Sequence, residues 1–298
     1  MELITGGFGL LEGARWYPGH GLVFSDMTRG GLYALAADAT EPRVLVAHRK
    51  GIGGLVAHRA GGWVVAGRNV AHKAADPDAS TTVLLDTGPD EMFFNDLTAD
   101  RHGRVFVGSV AVNPTAAASV RRPGRLYRLD LDGRVTVLAD DVLVSNGLGT
   151  SPDGGVLYHV DSGRKLVWAV HRPDSPAPVR TVFVDTAEYA GVPDGLAVAA
   201  DGSVWLALAG GGLVVGWDAA GARIAEIPVP QSLVTTVCFG GPGLRTLYVL
   251  TGHSDDHPDP AGGCVYRMAA PVAGRAAPMA AVALEQAPAG HAIEGGTS

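Results

Sequence analysis

Four oxygen-bearing side chains, Glu12, Asn95, Asn146 and Asp194, each stand seven residues before a glycine-rich turn, at positions 19, 102, 153 and 201. The same count from the turns at 60 and 243 reaches Gly53 and Thr236. A purely structural repeat position carries one kind of residue throughout, and Glu12 is neither small nor turn-forming. Asn146-Gly147 and Asp194-Gly195 could serve as turns alone, but the shared register of four such positions marks a site. Two carboxylates facing each other in a partly dry pocket repel, and a divalent cation removes that repulsion. Hard oxygen donors favour Ca²⁺, with Mg²⁺, Mn²⁺ and Zn²⁺ as alternatives. A cation with open positions polarises a carbonyl or phosphoryl oxygen and acidifies bound water. Asp194 then has a second role, as general base towards that water or as a nucleophile.

Residues so far apart can meet only if a repeated element brings them together. Runs rich in β-branched and aromatic residues recur as "GLVFSDM" (21–27), "GWVVAGR" (62–68), "GRVFVGS" (103–109), "GGVLYHV" (154–160), "GSVWLAL" (202–208) and "RTLYVLT" (245–251). Each reads as a strand entered through a turn and preceded by another short apolar segment. The equivalent positions 12, 53, 95, 146, 194 and 236 are separated by 41, 42, 51, 48 and 42 residues. Six copies at this period, each with room for about four strands, indicate an all-β, six-bladed β-propeller with an axial metal site. "GRLYRLD" (124–130), "GLVVGWD" (212–218) and "GCVYRM" (263–268) supply further strands. The eight helical patterns of a TIM barrel are absent. The propeller is expected over residues 1–271, and the Ala/Gly/Pro-rich segment 272–298 is expected to be loosely ordered.

Composition narrows the partners. A formal charge of −7 argues against nucleic acid, which needs clustered Lys and Arg. No window approaches the roughly 20 apolar residues of a membrane helix, and "MELITGGFGL" does not read as a signal peptide. Cys238 and Cys264 make no disulfide framework, so a reducing, cytoplasmic setting is expected. The expected partner is a small-molecule substrate, and the oligomeric state is left open.

The stretches "LEGARWYPGHGLVFSDM" (11–27), "FNDLTADRHGRVFVGS" (94–109), "SNGLGTSPDGGVLYHVDS" (145–162), "PDGLAVAADGSVWLA" (193–207) and "TTVCFGG" (235–241) together resemble the SMP-30/gluconolactonase family. That family includes regucalcin and is similar to the diisopropylfluorophosphatase group; the resemblance runs from about residue 8 to about 268. It implies a six-bladed propeller with one or two divalent ions in the channel. It further implies that Glu12, Asn146 and Asp194 bind the metal, that Asn95 touches metal or substrate, and that Asp194 is the base. Members hydrolyse lactones or phosphorus–fluorine bonds. The chain departs from the sugar-lactonase pattern where substrate is read: Phe93 replaces an Arg, and "VAVNPTAAASV" (110–120) lacks an acid. Met92, Phe93 and this alanine-rich loop therefore predict a more apolar substrate, since sites that hydrogen-bond hydroxyls discriminate through those bonds. The loop could also form a lid.

Other candidates are weaker. His253, in "TGHSDDHPDP", is a candidate proton shuttle or substrate contact at the channel mouth. Asp161 is expected behind the metal ligands, and Trp16 beneath Glu12. "GGFGLLEG" (6–13) lacks the third glycine and following helix of a dinucleotide loop. Neither a G-x-S-x-G elbow nor H-E-x-x-H occurs. Three readings follow: a metal-dependent lactone or ester hydrolase, an isomerase, cyclase or lyase using the same site, and a non-catalytic metal-binding scaffold.

Overall fold

The computed structural model describes residues 1–76, 79–88, 91–111 and 123–284. Most of the alanine-rich loop, residues 112–122, lies outside the described residues, so the lid expectation falls there. The chain opens with β1 (Glu2–Phe8) and then lays down the blades in order. Blade 1 is β2 (Leu11–Tyr17), β3 (Gly21–Asp26), β4 (Leu32–Leu35) and β5 (Arg43–Val46). Blade 2 is β6 (Leu55–Ala57), β7 (Trp63–Val65), β8 (Asn69–Lys73) and β9 (Thr82–Asp86). Blade 3 is β10 (Phe93–Ala99), β11 (Val105–Val110), β12 (Gly124–Leu129) and β13 (Val135–Val142). Blade 4 is β14 (Ser145–Thr150), β15 (Val156–Asp161), β16 (Leu166–His171) and β17 (Val179–Asp185). Blade 5 is β18 (Val192–Val198), β19 (Val204–Ala209), β20 (Leu213–Trp217) and β21 (Arg223–Pro228). Blade 6 is β22 (Val234–Gly240), β23 (Thr246–Thr251) and β24 (Gly263–Ala269), completed by β1 as its outermost strand.

Every neighbouring pair is antiparallel, and no α-helix occurs among the described residues. The six recurring runs of the sequence are the second strands, β3, β7, β11, β15, β19 and β23. Hairpin chemistry explains their entry: Gly154 and Gly202 take φ of 78° and 86°, which costs a glycine little. Asp201 Oδ1 accepts the Ser203 N–H across the same turn.

The first strands β2, β6, β10, β14, β18 and β22 pack side by side in a ring around the axis. Apolar side chains fill the wedge between blades; Tyr158 and Val160 of blade 4 meet Leu196, Leu206 and Leu208 of blade 5. These side chains are almost wholly buried, each contributing about 1.5–3 kcal/mol relative to exposure.

Of the segment 272–298, residues 285–298 lie outside the described residues, and residues 272–284 depart from expectation. Residues 272–284 are not a loose tail but a strap tied to all six blades. Ala273 O accepts from Ala200 N, Gly274 N donates to Leu244 O, and Arg275 donates to Thr150 and Ser151. Tyr17 Oη donates to Pro278 O, Ala280 exchanges bonds with Ala57 and Arg59, and Ala281 N donates to Gly103 O. Ala280 and Val282 are buried. Low side-chain content predicts disorder only when the backbone also lacks partners, and here loop carbonyls and amides supply them.

Candidate functional site

Each of the four residues sits at an irregularity of its inner strand. The ladder register skips between Glu12 and Arg15, between Phe94 and Leu97, between Ser145 and Leu148, and between Pro193 and Leu196. Asn95, Asn146 and Asp194 therefore lie in β-bulges, and Glu12, still paired with Ser25, borders one; bulges bend a strand and re-aim its side chains. Small neighbours let the bulges pack. A Cβ on Gly147 would meet Asp194 O at 2.5 Å, and one on Gly53 would meet Asn95 Oδ1 at 2.4 Å. Blade 2 thus contributes backbone because the Asn95 amide fills the space a side chain would need.

The four come together. Asn95 Nδ2 donates to Asn146 Oδ1 at 3.0 Å and to Ser145 O at 2.9 Å. Asn146 Nδ2 donates to Ser162 Oγ, which donates to Pro193 O beside Asp194. Glu12 and Asp194 are 8% and 7% exposed, so their charges are largely cut off from water. Burial pushes the Glu12 carboxyl well above its ordinary range, reinforced by the charges of Asp194 and Asp96. Burial does the same to Asp194, with Asp96 adding to it. Asp194 Oδ1 is buried with no hydrogen-bond partner among the described residues.

Asp96 is a third buried carboxylate, which the sequence reading passed over. It follows Asn95 in a column that elsewhere holds Gly13, Gly54, Gly147, Gly195 and Val237, and its charge among small and apolar residues was the available signal. Burial raises its carboxyl, opposed first by Arg15 and then by the N–H groups of Leu97 and Leu148. Arg15 lies 3.5 Å from Asp96 and donates to Ala14 O and Leu97 O. Three carboxylates and one guanidinium leave two negative charges when all are ionised. No three His, Cys, Asp or Glu side chains form a ready cage among the described residues. The two carboxylates of Glu12 and Asp194, the latter with its unpartnered oxygen, and the two amides make a hard-oxygen donor set that fits a divalent cation.

The remaining candidates lie outside the central four. Phe93 is half-buried opposite Val110, and Met92 is 48% exposed with its N–H on Val110 O. His253 donates its N–H to Gly9 O near Glu12, and its Nδ1 accepts from Asp259 N; neither bond reaches the four central residues. Asp161 is fully buried behind the ring, accepting from the N–H groups of Leu143 and Val144 just ahead of Asn146. Trp16 stacks on Tyr248 at 5.6 Å, further down the channel than Glu12. Glu91 is a second acid missed in the sequence. Its side chain is 2% exposed and accepts from Ser109 Oγ, Tyr127 Oη and Gly88 N beside Met92.

Comparison with known proteins adds an independent line. Residues 10–253 match the family described as the SMP-30/Gluconolactonase/LRE-like region. An uncharacterized protein of Sulfolobus acidocaldarius is 33% identical over 263 residues, 86% of this chain and 90% of that protein. A pentonolactonase of Haloferax volcanii is 36% identical over 193 residues, 61% of this chain and 64% of its own length. A structure described as a calcium-binding protein, regucalcin, from Agrobacterium tumefaciens superposes with a TM-score of 0.80 at 22% identity. It covers 93% of this chain and 96% of that one, a likeness of fold.

Proposed function

Because the chain belongs to the SMP-30/gluconolactonase/LRE-like family, we propose that it hydrolyses a lactone or related ester with a divalent cation held by Glu12, Asn95, Asn146 and Asp194. The observation that carries this reading is the convergence of four bulged strands on the unpartnered Asp194 oxygen. A bound divalent cation, Ca²⁺ by donor chemistry, would supply the positive charge that polarises an ester carbonyl.

The protein's own groups do the rest. Asp194 takes the proton of the attacking water, whose oxygen bonds to the carbonyl carbon. The ring C–O bond then breaks, the proton passes to the departing oxygen, and a hydroxy acid is the product. Asn95, anchored on Asn146 and Ser145, orients the substrate. Phe93 and Met92 form an apolar edge at the mouth, with His253 on the opposite rim, which suits a substrate less hydroxylated than a sugar lactone. The partner in this reading is a small molecule and not a nucleic acid. Two unpaired, buried cysteines accord with a cytoplasmic setting.

The test is acid release by chelated and Ca²⁺-reloaded protein on aliphatic, aromatic and sugar lactones. Release restored by the ion, largest on the apolar lactones and lost in Asp194→Asn, is the expected result. Turnover indifferent to chelation and to Asp194→Asn would refute the reading, and ion-dependent rearrangement without acid would move the chemistry to isomerisation.

A further inference from the structure

We propose that the opposite, lower end of the axial channel is a second binding site, built for a small monocarboxylate with a compact apolar body. Its walls come from the same inner strands as the upper site, two to four residues further along, which at about 3.3 Å per residue sets it roughly 10 Å deeper. Trp16, Leu148, Leu196, Val198, Val237 and Phe239 line it, and the strap at 275–278 closes its floor. The cavity is compact, about 60 Å³, and open to solvent at its mouth.

The charges decide what the pocket takes. Among the described residues its only charged lining side chains are Arg15 and Arg275, and no acid lines it. Arg15 is already committed to Asp96 and two backbone carbonyls. Arg275 donates to Thr150 Oγ1 at 2.7 Å and Ser151 O at 3.1 Å, both uncharged, and pairs with no carboxylate among the described residues. Burial alone perturbs its guanidinium, lowering its pKa, so nothing nearby compensates the charge. A guanidinium has five N–H donors, and these two bonds leave capacity for a carboxylate. One uncompensated positive charge among hydrocarbon walls matches a single negative charge on an apolar body, whereas a phosphate dianion would be poorly solvated there. Cys238 also lines the space, but burial pushes its thiol up to about 12, so it stays a neutral wall atom.

The Arg15–Asp96 pair separates this pocket from the upper site, so the proposal stands independently of the hydrolase reading. The test is calorimetric titration of the full chain with benzoate and its neutral analogue benzyl alcohol, each with and without Ca²⁺. Benzoate is expected to bind one-to-one regardless of Ca²⁺, and benzyl alcohol at least about tenfold more weakly. Arg275→Met should weaken benzoate about tenfold while leaving benzyl alcohol unchanged, and Arg275→Lys should keep part of the preference. Ala197→Phe, which adds bulk at the pocket wall, should abolish both, with thermal melts showing each variant to be folded. Equal affinity for acid and alcohol, no saturable binding up to about 10 mM, or benzoate binding that survives Arg275→Met would overturn the proposal.

Discussion

The Arg15 guanidinium and the Asp96 carboxylate lie 3.5 Å apart at the foot of the candidate site, both almost fully shielded from water. One comes from blade 1 and the other from blade 3, so the pair also ties two non-adjacent blades across the axis. Arg15→Met leaves Asp96 buried without its partner, and removing one member of a buried pair costs about 3–5 kcal/mol. Urea unfolding should show that loss, and the double variant Arg15→Met/Asp96→Asn should recover much of it. Equal stability of the wild type and Arg15→Met would remove the pair from any structural role.

Glu12 and Asp194 repel each other in the ion-free chain, so the neutral isosteres should act in opposite directions on two measurements. Without divalent ions, Glu12→Gln or Asp194→Asn should raise stability by on the order of 1–3 kcal/mol. Added Ca²⁺ should stabilise the wild type by about 2.7 kcal/mol at a hundredfold excess over Kd, and should do little for either variant. Calorimetric melts with and without Ca²⁺ read both effects. An identical Ca²⁺ shift in all three proteins would take these two residues out of the ligand set.

Acid stability should report His159. Its ring is wholly buried, its Nε2 meets Ser145 Oγ at 2.8 Å, and burial lowers its pKa from 6.5 to about 4. The unfolded chain therefore binds a proton that the folded one refuses. The contribution is intact above pH 6.5 and is lost as the pH falls towards 4, amounting to about 3 kcal/mol. His159→Gln should flatten that part of the stability profile, and an unchanged slope between pH 6.5 and 4 would contradict the assignment.

Truncation after Pro271 should destabilise the ring by about 3–5 kcal/mol. The strap buries Ala280 and Val282 and closes several backbone hydrogen bonds, each of modest net value. Denaturant midpoints of the truncated and full-length chains decide the matter. Coincident curves would mean that the strap adds nothing to the fold.

The propeller was legible because its signal is repeated: a β-branched run after a turn such as Asp201-Gly202 is ambiguous alone and decisive in six registered copies. The ring of Glu12, Asn95, Asn146 and Asp194 was legible for the same reason. Asp96 escaped because its information is an exception, a carboxylate in a column of four glycines and Val237, and a search for recurring ligands passes over exceptions. Glu91 escaped because Ser109 and Tyr127 reach it only after β10, β11 and β12 pair. The strap was misread because its stability lies in backbone bonds to carbonyls and amides of all six blades, and alanine or glycine composition carries no trace of those partners.

The closing seam, β1 against β24, gives the molecule an order of assembly. β1 must wait for β24 before their shared blade is whole, so the ring cannot shut until residues 263–269 have been made. Residues 2–8 and 263–269 act as a latch, and a chain that lacks β24 leaves β1 without its partner and the ring unclosed.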